Sequence, residues 1–464
     1  MSMSRLSALD ASFLAVETRT AHMHVGWVAV FDPPPGASSP TFAECRDHIA
    51  GRLNLAPRFR QIVSPAPLGL VASIWVDDQS FDIARHVVRS RARSVTGAID
   101  WFLSKPLRRE HPLWQVCVAD QLADGRTAVI GKAHHCMVDG IAAVELATLL
   151  VDPGPQPPPP EPDGWTPAAR PAAAERMLDA LVTTVRNQLD LAALPARIAG
   201  SPRAAAEVAG RGRRAARAIV GAARPARSSR LNARISASRH LSRLSRPVDD
   251  LLAIKRAFGT TLNDVVLAAC AGGVRDYLRA HGERPLRLKA MVPVNVRGKD
   301  SARQLGNRIS FMFIDLPCDE PDPARRLREI HLATSERKRT GEADGAADIV
   351  RSLGYAPGPL QRLLSRLVAS PRAFNLTVSN IPGPREPLYM LGCRLVEAYP
   401  VVPIAEQHAL SIGFTTVGDG AYFGLYADPV SLPESDVLAT AVDRSIDELL
   451  AAETFAGLSD PVPA

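Results

Sequence analysis

Two adjacent histidines, His134 and His135, followed at a short fixed distance by Asp139 and Gly140, are the residues whose types and spacing can do chemistry. An imidazole has its ordinary pKa near neutrality, so it can take a proton from a hydroxyl or thiol without being charged beforehand. A base of this kind needs a partner to orient it. Residues 126–133 are a short β-branched run that reads as a strand, and residues 141–150 have the length and residue types of a buried helix. The pair therefore sits at a strand-to-helix junction, where Gly140 lets the backbone bend and a rigid scaffold holds reactive groups. A histidine beside an apolar strand is more often a satisfied core residue, but two in a row before an Asp-Gly are seldom accidental. A metal centre is disfavoured, because neighbouring strand residues point to opposite faces and no Cys or Glu stands at zinc-ligand spacing. Cys136 lies between His135 and Met137, a position that turns it away from the proton path, so a covalent thiol mechanism is not expected.

The elements that must hold this junction are spread over 464 residues, 46% of them hydrophobic, which is ample for a large core and suggests two domains. Asp10, Glu17 and Arg19 interrupt the first twenty residues, so no signal peptide is expected, and no uncharged apolar run approaches the ~20 residues needed to span a bilayer. The six cysteines form no Cys-x-x-Cys pair, which fits a reducing cytoplasm. Before the histidines, strands are expected at residues 23–31 and 69–75 and helices at 42–53 and 99–105. Pro112 then fixes the start of a further strand, with Leu113 and Trp114 as core candidates and His24 as a lesser site candidate. After them, strands are expected at 231–240, 287–297, 306–314 and 374–380, a hairpin at 408–427, and helices at 248–258, 323–338 and 433–452. Thr261 or Asn263 can cap another helix running to about 280, which puts Asn263 and Asp264 in its first turn. Strands and helices alternate irregularly, so each half is read as an α/β unit with one mixed sheet covered by helices on one face.

A proline-rich run opening at Pro153 marks a boundary, giving residues 1–152, a linker at 153–230 that turns Arg- and Ala-rich and helical, and residues 231–464. Between Arg186 and Arg246 stand 14 Arg and two acidic residues, so the net charge of +7 is local to this stretch. It could meet nucleic acid, an anionic membrane surface or the phosphates of a nucleotide-bearing donor, or be a solvated linker. Nucleic acid is the least favoured, because interleaved aromatics are lacking. Residues 204–220, with Arg211, Arg213, Arg214 and Arg217, read as a basic helix suited to a lipid surface.

The His-His-x-x-x-Asp-Gly pattern resembles the signature of the coenzyme A-dependent acyltransferase superfamily, which includes chloramphenicol acetyltransferase and condensation domains. With Leu9-Asp10-Ala11-Ser12-Phe13-Leu14, Met23-His24-Val25-Gly26, Pro112-Leu113-Trp114 and Ser379-Asn380-Ile381-Pro382-Gly383-Pro384, the chain looks like a bacterial wax ester synthase/diacylglycerol acyltransferase over nearly its whole length. The resemblance implies two chloramphenicol-acetyltransferase-like domains with a tunnel between them. It implies His135 as general base beside His134, Asp139 as an architectural partner of Arg297, Asn263 and Asp264 near the base, and Pro112, Leu113, Trp114, Ser379 and Asn380 along the tunnel. The implied reaction is acyl transfer from acyl-CoA to diacylglycerol or a long-chain alcohol, with acyl-CoA as co-substrate, no cofactor and no metal. A complex-lipid or polyketide alcohol as acceptor, or a non-catalytic lipid-surface protein, are the alternatives. The expected location is cytoplasmic, at the inner membrane face or on lipid inclusions.

Overall fold

The structure, a computed structural model, describes residues 4–65, 73–137, 150–156, 163–199, 225–295, 309–340 and 358–456, with isolated residues between 201 and 213. Two six-stranded mixed sheets dominate. In the first, β11 (Tyr389–Met390), β12 (Cys393–Val401), β1 (His24–Asp32), β6 (Thr127–His134), β5 (Trp114–Ala119) and β4 (Val87–Arg89) lie in that order. In the second the order is β7 (His240–Pro247), β14 (Gly420–Ala427), β13 (Leu410–Val417), β10 (Leu376–Ile381), β8 (Leu288–Asn295) and β9 (Ile309–Leu316). A small hairpin pairs β2 (Gln61–Ser64) with β3 (Ile74–Asp77).

β6 is central in its sheet, and all eight of its residues are buried. Even Lys132 is enclosed, because its ammonium donates to the carbonyls of Phe102 (2.7 Å) and Lys105 (2.6 Å) at the end of α3 (Val95–Leu103). Its amine there supplies a donor to carbonyls at the helix end, and burial pushes its pKa down to about 7. The helix Leu262–Ala280 is buried along most of its length and packs with the helices Val248–Ala257, Pro323–Thr340 and Ser435–Ala456 beside the second sheet.

The division read from sequence at residue 230 does not coincide with the division between sheets. Residues 389–401 complete the first sheet, with β12 paired antiparallel to β1. β12 also passes over the second sheet, where Gly413 and Gly424 admit it: a Cβ on Gly413 would stand 2.9 Å from the Pro400 ring, and one on Gly424 would strike the Pro400 carbonyl. Ser411 donates to the Val402 carbonyl at 2.5 Å at this crossing. The strand expected at residues 231–240 is absent. Leu231 sits in a single turn, Arg230–Asn232, with its carbonyl taken by the Ala409 N–H (2.8 Å), and the ladder opens only where His240 meets Ala427. The strand expected at 69–75 is described only from Ile74. The helix expected at 141–150 lies outside the described residues but for Leu150, as does most of the basic segment at 204–220, including Arg211, Arg214 and Arg217. A helix at Ala173–Ala199 precedes that segment.

Candidate active site

β6 ends at His134, and the chain turns at once, with the Met137 N–H donating to the His134 carbonyl (2.9 Å). Two neighbouring segments pin the turn. The His134 N–H donates to the Leu113 carbonyl (2.8 Å) and the His135 N–H to the Met23 carbonyl (2.9 Å). Met23 holds φ at +49°, a left-handed conformation uncommon for a side chain of this size, and that strain lies at the site.

His134 is fully buried. Its Nδ1 accepts from the Cys136 N–H (3.1 Å), so the ring proton of the neutral imidazole is on Nε2, 3.8 Å from the Glu17 carboxylate. Burial, reinforced by His135 and Arg109, pushes its pKa down to about 3. Glu17 is in turn held by Arg109, whose Nε stands 2.9 Å away and whose Nη2 also donates. The His135 ring lies under Phe13, with centroids 3.6 Å apart and planes within 12°. Burial pushes His135 down to about 4, against the opposing effect of its own main chain. Its Nδ1 is buried without a hydrogen-bond partner among the described residues, and Nε2 makes no bond with them either. An uncharged imidazole with a free nitrogen is the form that a general base requires.

The other expected residues fall in different places. Asp139, Gly140 and Arg297 lie outside the described residues. Asp264 is committed to structure. Thr261, not Asn263, is the N-cap of its helix, and Asp264 completes a capping box while accepting from His331 Nδ1 (2.8 Å) and the Thr334 hydroxyl (2.7 Å). Burial would raise its pKa, but these hydrogen bonds override that and hold the carboxyl below the usual range. It staples two helices together, so Asp264→Ala should cost about 2–4 kcal/mol in denaturant melts while the turnover of the folded protein changes little. A variant that melted like the wild type yet lost turnover would place Asp264 in the chemistry instead. Asn263 is half-buried and makes no hydrogen bond among the described residues.

Trp114 is fully buried, as its reading as a core candidate expects. Its Nε1 donates to the Phe59 carbonyl (2.7 Å) and its ring stacks on His86 at 4.7 Å. Pro112 and Leu113 are buried beside it, and Leu113 serves the site through its carbonyl. Ser379 is aligned with Gly413, on the face of the second sheet that β12 crosses, whereas Asn380 pairs with Phe414 on the opposite face. Gly383 admits no Cβ, because one would strike the Thr416 carbonyl, which accounts for the Pro-Gly-Pro turn there. His24 stands opposite His134 in the β1–β6 ladder, accepts from the Leu107 N–H at 3.4 Å and is held uncharged by burial. Cys136 is buried, its thiol pushed far up by burial, which leaves it inert as a nucleophile.

The catalytic-domain model of the wax ester synthase/diacylglycerol acyltransferase family matches residues 6–266, and the C-terminal-domain model of the same family matches residues 305–450. The chain belongs to this family. It is 33% identical to a probable diacylglycerol O-acyltransferase, tgs1, of Mycobacterium tuberculosis, over 97% of this chain and 96% of that protein. A second M. tuberculosis relative, tgs2, is 31% identical over 95% and 97%. The solved wax ester synthase/diacylglycerol acyltransferase of Marinobacter aquaeolei aligns with a TM-score of 0.69 at 27% identity, covering 98% of this chain and all of that one. The first condensation domain of the CDA synthetase shares the fold, with a TM-score of 0.58 at 17% identity over 97% of this chain and 96% of that one. The mixed α/β, two-unit architecture expected of such an acyltransferase is therefore present.

Within this family member, sequence reading missed Phe13, Glu17, Met23 and Arg109 as neighbours of the histidines. The spacing of Phe13 and Glu17, one helical turn apart, was the available signal.

Proposed function

We propose that this acyltransferase moves a long-chain acyl group from coenzyme A to the hydroxyl of diacylglycerol or of a long-chain alcohol, with no cofactor beyond acyl-CoA as co-substrate. The observation that carries the reading is the uncharged His135 imidazole, held at the end of β6 with Nε2 unengaged by the described residues. His135 removes the hydroxyl proton, and the oxygen attacks the thioester carbonyl to form the new C–O bond. The C–S bond then breaks, and the thiolate leaves with the proton that the imidazolium returns. The family pattern makes Asp139 and Arg297 the candidates for supporting the pair, and Ser379 and Asn380 the candidates for the substrate path. Much of the rate comes from bringing the two substrates together, since such positioning reaches effective molarities on the order of 10⁵ M. Release of free thiol from palmitoyl-CoA with diacylglycerol, hexadecanol or short alcohols tests the reading. No acceptor-dependent thiol release from the folded protein would overturn it, and turnover only with a complex-lipid or polyketide diol would move it to that acceptor.

The protein works in the cytoplasm, at the inner membrane face or on lipid inclusions. Support comes from the Arg excess at 186–246 and from the exposed apolar residues Leu178, Leu181, Val182, Val185 and Leu189 on the helix Ala173–Ala199. Among the described residues no single helix is long and apolar enough to cross a membrane. Each well-placed Arg gains about 1 kcal/mol against anionic lipid, screened within a Debye length of ~10 Å. Binding to anionic vesicles should therefore weaken as salt rises, and replacing Arg211, Arg213, Arg214 and Arg217 with Gln should release the protein while thioester cleavage with a soluble alcohol persists. If the replacements raised KM for acyl-CoA and left vesicle binding intact, the arginines would serve the donor's phosphates.

A further inference from the structure

We propose that the first helix, α1 (Ala8–Val16), is the positioning element of the histidine pair, Phe13 fixing the ring plane of His135 and Glu17, at the helix end, fixing the orientation of His134. The inference rests on His135 acting as the base. Residues four apart share one face of a helix, so a single edge at the helix end addresses both His134, the last residue of β6, and His135 in the turn that follows it.

The contact between Phe13 and His135 is imposed by the scaffold. Aromatic pairs left to themselves prefer offset or edge-on arrangements with centroids at least about 4.5 Å apart, whereas these rings lie nearly parallel at 3.6 Å. The helix that holds them there is fixed at both ends. Ser7 and Asp10 form a capping box at its start, with the Ser7 hydroxyl 2.6 Å from the Asp10 carboxylate. At its end the Glu17 N–H donates to the Phe13 carbonyl (3.2 Å), and Arg109 grips both Glu17 and the Leu14 carbonyl (3.2 Å). The Cys136 N–H fixes the His134 tautomer by donating to Nδ1, and the Glu17 carboxylate, 3.8 Å from the Nε2–H and beyond hydrogen-bond reach, favours that orientation electrostatically at the start of the turn after β6. With Nδ1 of His135 unpartnered among the described residues, the flat face of Phe13 is the restraint on that ring which the described structure supplies. A tilt that displaces Nε2 by roughly 1 Å is enough to cost on the order of 10²-fold in rate.

The test uses the full-length enzyme with Phe13→Tyr, Phe13→Leu and Glu17→Ala, each compared by melting temperature, kcat, KM for palmitoyl-CoA and an NMR titration of His135 without substrate. Phe13→Leu keeps the apolar bulk and removes the flat face. It should lower kcat by about 10- to 100-fold, in line with the misplacement cost, with KM unchanged. Phe13→Tyr, which restores a flat ring, should recover most of it. At pH 6, where the protein is still folded, His135 should stay uncharged in the wild type and in Phe13→Tyr, and should begin to take up a proton in Phe13→Leu, because a ring freed to tilt loses part of its desolvation. Asp10, Glu17, His24, Arg109 and Cys136, titratable groups near the pair, are unchanged in both. Glu17→Ala should lower kcat and leave the His135 titration in place. A Phe13→Leu enzyme with wild-type kcat and raised KM would make Phe13 a substrate contact and overturn the proposal, as would an unchanged His135 titration. Because the titration needs no turnover, it separates failure of this proposal from failure of the acyl-transfer reading.

Discussion

His135→Ala protein is expected to fold and to lose acyl transfer by about 10²- to 10⁴-fold, the range that a positioned general base supplies. The loss is specific because the neighbouring groups cannot substitute. His134 has Nδ1 committed to the Cys136 N–H and its Nε2–H turned to Glu17, so it has no lone pair to offer a hydroxyl. Cys136 is buried with its thiol pushed far up, so it supplies no thiolate. Cys136→Ala should accordingly keep most activity, and His134→Ala should lose activity together with melting temperature, since it removes a fully buried side chain that caps the turn. The measurement is thiol release from palmitoyl-CoA by purified protein of matched circular dichroism. Wild-type turnover in folded His135→Ala would end the mechanism.

Acid should unfold this protein well above the pH at which carboxylates titrate. Burial pushes His22 and His86 down to about 4 and His134 to about 3, and His24 falls well below its usual range. A histidine whose folded pKa lies below its unfolded value of 6.5 binds fewer protons folded than unfolded across that interval. The stability it contributes is fully present above 6.5 and is lost as pH falls from 6.5 toward the folded value. At about 1.4 kcal/mol per pKa unit, His22 and His86 are each worth roughly 3 kcal/mol and His134 about 5, so these three together rival the 5–15 kcal/mol that holds a typical domain. His240 runs the other way. Asp100 and Asp436 raise it to about 9, so its contribution is present below 6.5 and is lost as pH rises through 9. Melting temperature should therefore be highest between about pH 7 and 8, fall steeply below 6.5 and reach collapse near pH 5, with activity following the folded fraction rather than the titration of His135. His86→Gln should flatten the slope. In the wild type the Nδ1–H of His86 reaches the Trp114 carbonyl (2.9 Å), while Nε2 is buried with no partner among the described residues, so a second proton there is not accommodated. A melting temperature level from pH 7 to pH 5 would contradict these burial effects.

Much of this arrangement was written in the local sequence. The β-branched run before His134 reads as a strand from its residue types alone, and the structure adds that all eight residues of β6 are buried. The helix from Leu262 was legible from Thr261 and Asp264, because capping chemistry acts over three residues and needs no tertiary partner. The histidine pair and the family resemblance were likewise present in the order of residues. What sequence could not supply were contacts between segments far apart in the chain. β12 pairs with β1 across more than 350 residues, an exchange that no local periodicity encodes, so the boundary placed at 230 cut through what the first sheet needs. Asp264 was read beside the base, but His331 and Thr334, about 70 residues on, claim its carboxylate. Trp114 is legible as a core candidate, but its partners, the Phe59 carbonyl and the His86 ring, come from distant segments that only the fold brings together. The sequence by itself offered the histidine pair at the end of a strand, because that depends on imidazole chemistry and local propensity, and the family resemblance pointed to His135 of the two. Only the tertiary structure decided that His135 is uncharged and flat against Phe13, because desolvation and stacking depend on what other parts of the chain bring within a few ångströms.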